Sequence, residues 1–261
     1  MVVAITRSPL AGNFLSDQAR ILFANSQPMV PLTPYYMIKS KTAVDAGSPS
    51  QAVYHKFAKP PTDTFRRYQE DRVITSFKES VVQVWDNVGH HRLTGLNPQG
   101  VPNEEVAKQI PGRSFEMPDG WNQVFTVDRY KVAEGLFDAA AAQTDPQHPA
   151  PKQEQTIPAI ISASLASLGD PELVPQLLNN IVIVGSSSLL MGFNKRLQLE
   201  LEAKYPGPKV RIFAAGPIVE RKYACWIRGS ILGSLGSFHQ LWVSKKEWEE
   251  HGPSIIEKRC K

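Results

Sequence analysis

Cysteine is nearly absent from this chain. Cys225 and Cys260 are the only two in 261 residues, too few and too far apart for a disulfide framework or a four-cysteine zinc site, which points to a reducing compartment. Long apolar runs are missing as well. No stretch approaches the roughly 20 apolar residues that a membrane helix needs, so no membrane partner is expected. The opening MVVAITRSPL has neither the basic start nor the apolar centre of a secretory leader, so export is not expected either. Basic residues come as pairs, Arg66-Arg67 and Lys245-Lys246, rather than as runs. No motif supplies a nucleophile with its base, a carboxylate pair or a metal cluster, which leaves an enzymatic reading without residues. His90 and His91 are adjacent, point different ways and lack a third ligand at metal spacing, so no metal site is expected.

What is there is ordinary globular chemistry. Hydrophobic side chains make up 42% and charged ones 21%, enough for a chain of this length to bury roughly 70 to 75% of its unfolded surface in one large or two small domains. A net charge of +4 and a pI near 9.0 modestly favour acidic partners, and direct nucleic-acid binding rests on that alone. The 21 prolines gather in particular places, read as loops.

Met1 to Ile5 is apolar and β-branched and reads as a strand; a helix is expected from about Asn13 to Asn25, with Phe14, Ala19, Leu22 and Phe23 at mixed three and four spacings. Residues 27–61, with Pro28, Pro31, Pro34, Pro49, Pro60 and Pro61, are expected to be irregular. Asp63 offers an N-cap for a helix to about Val84. Residues 87–111 read as a surface insertion. Ser114 to Val127 places Asp119-Gly120 between two β-type runs, a hairpin signal, and Asp128 then caps a short helix to Phe137. Residues 139–155, low in complexity and without apolar period, read as a mobile linker.

Beyond that stretch strands and helices alternate. Helices are expected from Thr156 to Leu168 and after Asp170-Pro171-Glu172. Asn180 to Val184 reads as a buried strand, Gly185 to Gly192 as a small-residue loop, and Phe193 to Lys204 as a helix. Lys209 to Ala215 is the next strand. Tyr223 to Phe238 reads as a helix with Ile231, Leu235 and Phe238 on one stripe and Gly229, Ser230, Gly233 and Ser234 allowing close approach; Ile231 and Phe238 are expected in the core. Lys245 to His251 is a last short helix. A strand running through GSSSLLMG into a helix can turn backbone amides and the helix dipole towards an anion, or can be a plain connecting turn; it is neither a P-loop nor a dinucleotide fingerprint.

ERKYACWIRGSILGSLGSFHQLWVSKKEWEEHGPSIIEKRC, Glu220 to Cys260, closely resembles the C-terminal segment of the actin family. Within it WIRGSIL and FHQLWVSKKEW look like signature stretches, and NIVIVGSSSLLMGFNKRLQLEL, Asn180 to Leu201, is similar to the family's adenosine-loop strand and following helix. RSPLAGNF, PYYMIKSK, SVVQVWD, EMPDGWN and AEGLFD, at Arg7, Pro34, Ser80, Glu116 and Ala133, resemble the nuclear actin-related protein 4 subfamily, over its C-terminal two thirds.

The resemblance implies an α/β, actin-like (ribonuclease H-like) fold of two lobes around a nucleotide cleft, here incomplete. Residues 1–10 and 154–222 would form the core of subdomain 3, residues 11–153 an inserted subdomain 4 with loops 87–111 and 139–155, and residues 223–261 a segment of subdomain 1. Met1 aligns beyond both phosphate-binding hairpins of the family, so most of the first lobe and actin's hydrolytic side chains have no counterpart, and no enzyme is expected. The implied role is a non-catalytic subunit of nuclear chromatin-remodelling and histone acetyltransferase complexes, partnered by nuclear actin and a helical scaffold or motor subunit, with histones or nucleosomes within reach. The alternative is an ATP-binding or ATP-hydrolysing member of the superfamily.

Carried over residue by residue, Gly185, Ser186, Ser187 and Lys222 match a nucleotide site, which leaves ATP an incomplete, vestigial place. Ser186 stands where actin has a second glycine, and its Cβ limits backbone approach. Phe77 and Lys78 occupy positions that in actin carry a lysine and a glutamate, so those contacts do not transfer. Lys222 is otherwise a plain surface charge. Arg228 replaces a family glycine. Leu232, Leu235 and Leu241 match positions lining a hydrophobic partner groove, or are simply core.

Overall fold

A computed structural model describes residues 4–87 and 92–259. Met1, Val2 and Val3 lie outside the described residues, as do His90 and His91. Ala4 and Ile5, the described end of the expected first strand, are irregular; they run beside the helix at 157–166, where Ser164 Oγ donates to the Ala4 carbonyl at 2.9 Å and Thr6 Oγ1 to the Ile160 carbonyl at 3.0 Å. A helix side chain meets one carbonyl of this segment, and the segment's own Thr6 hydroxyl meets one carbonyl of the helix.

Helix α1 spans Gly12–Asn25 and buries Leu15, Ala19, Leu22 and Phe23. Helix α2 spans Asp63–Ser80. Its N-cap is Thr62, whose Oγ1 accepts the Phe65 N–H at 3.3 Å, while Asp63 sits one residue in, where its charge suits the dipole. The helix stops short of Val84 because the following backbone is claimed elsewhere: Gln83 N–H donates to the Arg129 carbonyl at 3.1 Å and Val84 N–H to that of Met191 at 2.8 Å. Phe77 points from α2 into an aromatic cluster with Phe23, Phe115 and Phe125, centroids 4.8 to 5.2 Å away. Lys78, beside it, donates to the Gly12 carbonyl at 2.9 Å and to Ser16 Oγ at 2.7 Å, and burial lowers its pKa.

Residues 27–61 are not irregular throughout. Strands β1 (Ile38–Thr42) and β2 (Gln51–Tyr54) pair antiparallel, with a bulge between Ile38 and Ser40. The prolines flank these strands instead of interrupting them, which is why the ladder survives. Residues 87–111 include helix α3, Asn103–Gln109, and are no mere surface insertion, since Leu93 and Ala107 pack with Trp85, Val127 and Tyr130. The hairpin expected around Asp119-Gly120 is present as β3 (Arg113–Glu116) and β4 (Asn122–Phe125). Gly120 takes φ +90° in its turn and Asp119 accepts the Trp121 N–H at 3.1 Å. Helix α4, Asp128–Glu134, ends before Phe137, and Asp128 lies in its first turn while Val127 holds the cap position. Residues 139–155 carry two 3₁₀ turns, Ala139–Ala141 and Gln153–Gln155, joined by Gln153 Oε1 accepting the Ala139 N–H at 3.0 Å; side-chain amides give this stretch the order that its composition hides.

The alternation beyond it is as expected. Helices α5 (Ile157–Ala166) and α6 (Leu173–Leu178) precede β5 (Ile181–Ile183), α7 (Phe193–Lys204) and β6 (Ile212–Ala214), and β5 and β6 make a third two-stranded sheet beside β1–β2 and β3–β4. Then come α8 (Ile218–Lys222), α9 (Ala224–Ser234), a 3₁₀ turn at Gly236–Leu241, α10 (Lys245–His251) and α11 (Ser254–Arg259).

The chain divides into two compact units. One runs to Ile181 and resumes over Leu190–Phe213; the other holds Val182–Leu189 and the chain from Ala214 onward. The first unit contains nearly all the buried apolar side chains. At its centre Arg196, fully buried, donates to Glu134 at 2.7 and 3.0 Å, to Glu200 at 2.9 Å and to the Trp85 carbonyl at 3.0 Å.

Candidate functional site

The second unit carries the residues singled out from the sequence. Strand β5 runs into Gly185, whose φ of +99° bends the chain into the 3₁₀ turn Ser186–Leu189. Two backbone bonds set that bend: Gly185 N–H donates to the Arg221 carbonyl at 2.9 Å, and Ser188 N–H returns to the Gly185 carbonyl at 3.2 Å. Ser188 Oγ also donates to that carbonyl at 2.6 Å. The Arg221 guanidinium closes the arrangement, with Nε donating to Ser188 Oγ at 2.9 Å and a terminal nitrogen to the Ser188 carbonyl. Partial burial lowers the Arg221 pKa, and the group stays a cation.

Helix α8 is therefore latched to the loop, and the latch brings Gly185, Ser186, Ser187 and Lys222 to one junction. Ser186 is exposed, Ser187 half-buried and Lys222 exposed, with Lys222 Nζ 5.9 Å from the Tyr223 ring centroid. A Cβ built on Gly185 would meet no atom within 4 Å, so the space in front of the bend is open. Sequence reasoning chose Lys222 and passed over its neighbour Arg221 and over Ser188. Nothing in the spacing marks them, because the partnership spans 33 residues. Strand β5 itself is not buried: Val182 is 62% exposed.

Downstream, α9 ends at Ser234 and not at Phe238, because Leu235 is extended (ψ 134°). The helix is bare. Ile231 is 59% exposed and Phe238 only half-buried, against the expectation that both are core, and nothing lies within 4 Å of a Cβ built on Gly229 or Gly233. The small-residue stripe thus has no neighbour in this unit. Arg228 reaches solvent.

Between the 3₁₀ turn and helices α10 and α11 opens a cleft of about 690 Å³ lined by Phe238, Leu241, Trp242, Val243, Trp248 and Ile256, with Ser244 and Lys245 at its polar side. Leu241 lines it. Leu232 and Leu235 stand outside the lining, each about half exposed. Ser244 and Glu247 hold one wall by a reciprocal cap: Ser244 Oγ accepts the Glu247 N–H at 3.2 Å, and Glu247 accepts from Ser244 N–H at 2.9 Å. Arg259 from α11 pairs with Glu247 and donates to the Gln240 carbonyl at 2.7 Å. Among the described residues no group of His, Cys, Asp and Glu is placed to hold a metal ion, and no helix is long and apolar enough to cross a membrane.

A family model described as Actin matches residues 1–261. Among curated relatives, the Actin-related protein 4 of Emericella nidulans is 54% identical over 98% of this chain and 55% of its own length. That of Gibberella zeae is 49% identical over 99% and 53%, and that of Neurospora crassa 48% identical over 99% and 54%. The chain spans about half the length of these relatives.

Proposed function

The chain belongs to the actin family, and its mixed α/β architecture fits an actin-like fold; from that premise we propose that it works as a non-catalytic binding subunit of nuclear chromatin-remodelling and histone acetyltransferase complexes. In this reading residues 1–10 and 154–222 form a subdomain 3 core, 11–153 an inserted subdomain 4 and 223–261 a piece of subdomain 1. Its partners are nuclear actin and a helical scaffold or motor subunit, with histones or nucleosomes as further contacts, in the nucleus.

The observation that carries the proposal is the apolar surface of the second unit. Trp226, Ile231 and Trp242 are more than half exposed and Leu232 and Leu235 nearly so, and Trp242 also lines a cleft with Leu241 and Trp248. Exposed apolar side chains gathered on one unit support a protein-binding face, and the cleft suits an amphipathic helix presenting apolar anchors at helical spacing. The test is pull-down with a helical segment of a chromatin-complex scaffold subunit. Wild type is retained and Leu241→Asp loses at least tenfold; equal retention, with unchanged circular dichroism, refutes the proposal.

ATP binding is the second reading, favoured by the open bend at Gly185. Gly185, Ser186, Ser187 and Lys222 would stand beside the nucleoside, and the bound nucleotide would supply charge and bulk that order the junction. A nucleotide-dependent rise in melting temperature, lost in Gly185→Val, checks it.

A further inference from the structure

Positive charge in this protein gathers in two stretches. Of its 29 Lys and Arg and 25 Asp and Glu, residues 35–68 hold six and two, leaving 23 of each sign elsewhere. Residues 204–246, with eight Lys and Arg against Glu220 alone, are a second basic stretch, and residues 35–68 are net +4. The same stretch carries six aromatic residues.

The fold gathers them. Pairing of Ile38 with Tyr54 and the 2.8 Å bond from His55 N–H to the Met37 carbonyl bring residues 35–39 beside 54–57 at the open end of the β1–β2 hairpin. From there a chain of rings runs to the first turn of α2: His55 to Phe57 at 6.1 Å, Phe57 to Tyr36 at 5.8 Å and Tyr36 to Phe65 at 5.1 Å. Tyr36 packs at the middle of this chain, while Tyr35, Tyr54, Phe57 and Phe65 keep 44 to 57% of their surface in solvent. Phe57 and Phe65, held by Tyr36 and still open to solvent, are a preformed platform, with Tyr35 and Tyr54 exposed on the same segments.

The cations around the platform divide into two sets. Lys41 is paired with Glu116, Arg66 with Glu70 and Arg67 with Asp17. Lys39, at the bulge, and Lys56 and Lys59, either side of Phe57, are exposed and have no ion-pair partner among the described residues. Three uncompensated ammonium groups beside open aromatic faces match one chemistry closely: a polyanion that carries a flat π-surface on every repeat. We propose that residues 35–68 form a binding surface for single-stranded nucleic acid, with Lys39, Lys56 and Lys59 on phosphates and Tyr35, Tyr54, Phe57 and Phe65 stacking on unpaired bases. A duplex keeps its base faces inside the stack and leaves the rings unmatched. An acidic peptide answers the lysines and not the rings.

Fluorescence anisotropy with a labelled oligothymidylate of about twelve residues, within the usual range of site sizes, tests this on the whole chain. Three phosphate contacts at about −0.7 each predict a log–log salt slope of roughly −2 for wild type. Lys39→Gln/Lys56→Gln/Lys59→Gln, three exposed side chains with no partner to lose, cuts affinity at least tenfold and flattens the slope. Phe57→Ala weakens binding roughly fivefold or more at unchanged slope, because stacking is not screened by salt. Absence of binding at about 50 mM salt, a triple variant that binds like wild type, or equal or tighter binding of a duplex or of an oligoglutamate peptide of the same length each overturns the proposal.

Discussion

Gln18 and Gln143 exchange two hydrogen bonds: the side-chain amide of Gln18 on α1 donates to the Gln143 carbonyl at 2.8 Å, and its side-chain oxygen accepts the Gln143 N–H at 2.7 Å. One buried amide thereby takes the place of a strand for a residue that has none. His148 adds a second tie, its Nδ1 lying 2.9 Å from Asp145 Oδ1, and that bond holds the Asp145 carboxyl below its usual value. Residues 139–155 are fastened by one side chain from outside the stretch, Gln18, and braced by a bond within it, His148 to Asp145.

Gln18→Ala removes both bonds and leaves a buried N–H and carbonyl unmet. The expected cost is about 1 to 3 kcal/mol, read in urea titration, and limited proteolysis should then cut within residues 139–155 ahead of any other site.

Arg196 is fully buried among Glu134, Glu200 and the Trp85 carbonyl. Arg196→Met strands Glu134 as an unpaired buried charge and should destabilise the first unit by about 3 to 5 kcal/mol. Arg196→Met combined with Glu134→Leu should recover part of that loss, since the cost lies in the orphaned charge; additive losses in denaturant titration would contradict the account.

Gly192 stands at φ +87°, and a Cβ there would fall on the Val84 carbonyl oxygen. Gly192→Ala should therefore cost more than the roughly 1 kcal/mol expected for left-handed strain alone, with loss of soluble yield. Gly169, at φ +70° with nothing within 4 Å of a built Cβ, is the control: Gly169→Ala pays only the strain, and its melting temperature should fall by a few degrees.

The Ser244–Glu247 cap has a pH signature. Hydrogen bonds from the Ser244 N–H, then from its hydroxyl, hold the Glu247 carboxyl below the usual carboxylate range. Its folded pKa is the lower one, so the stabilisation is complete above the ordinary glutamate value and disappears as pH falls through the folded value. Ser244→Ala should cost about 1 kcal/mol at neutral pH, and amide exchange in α10 should lose only part of its acid dependence in that variant, because the backbone N–H at 244 still donates to Glu247.

Much of the architecture was readable in the chain. Periodicity placed α1, α7 and α10, and Asp119-Gly120 placed the β3–β4 hairpin, because each follows from neighbours within about ten residues. The β1–β2 hairpin was not readable. Its strands are polar, with Lys39, Ser40 and Lys41 in β1, and its flanking prolines look like breakers until the pairing shows that they stand outside the ladder. The candidate site was half visible. Gly185 to Ser187 announced themselves as a small-residue loop after a strand, and the actin resemblance pointed to Lys222, yet the Arg221–Ser188 latch that joins them left no trace in the spacing.

The sequence alone, then, determined the family, through stretches such as WIRGSIL and FHQLWVSKKEW, and most of the helices, since helix periodicity and turn residues act over short distances. Tertiary structure decided which of those features face a neighbour. It put Phe77 in an aromatic core and Arg196 in a buried ion network, left Ile231 exposed, and drew rings from α2, the segment after β2 and the segment before β1 into one platform. Contacts between residues far apart in the chain depend on how whole elements pack, and no window of sequence contains that information.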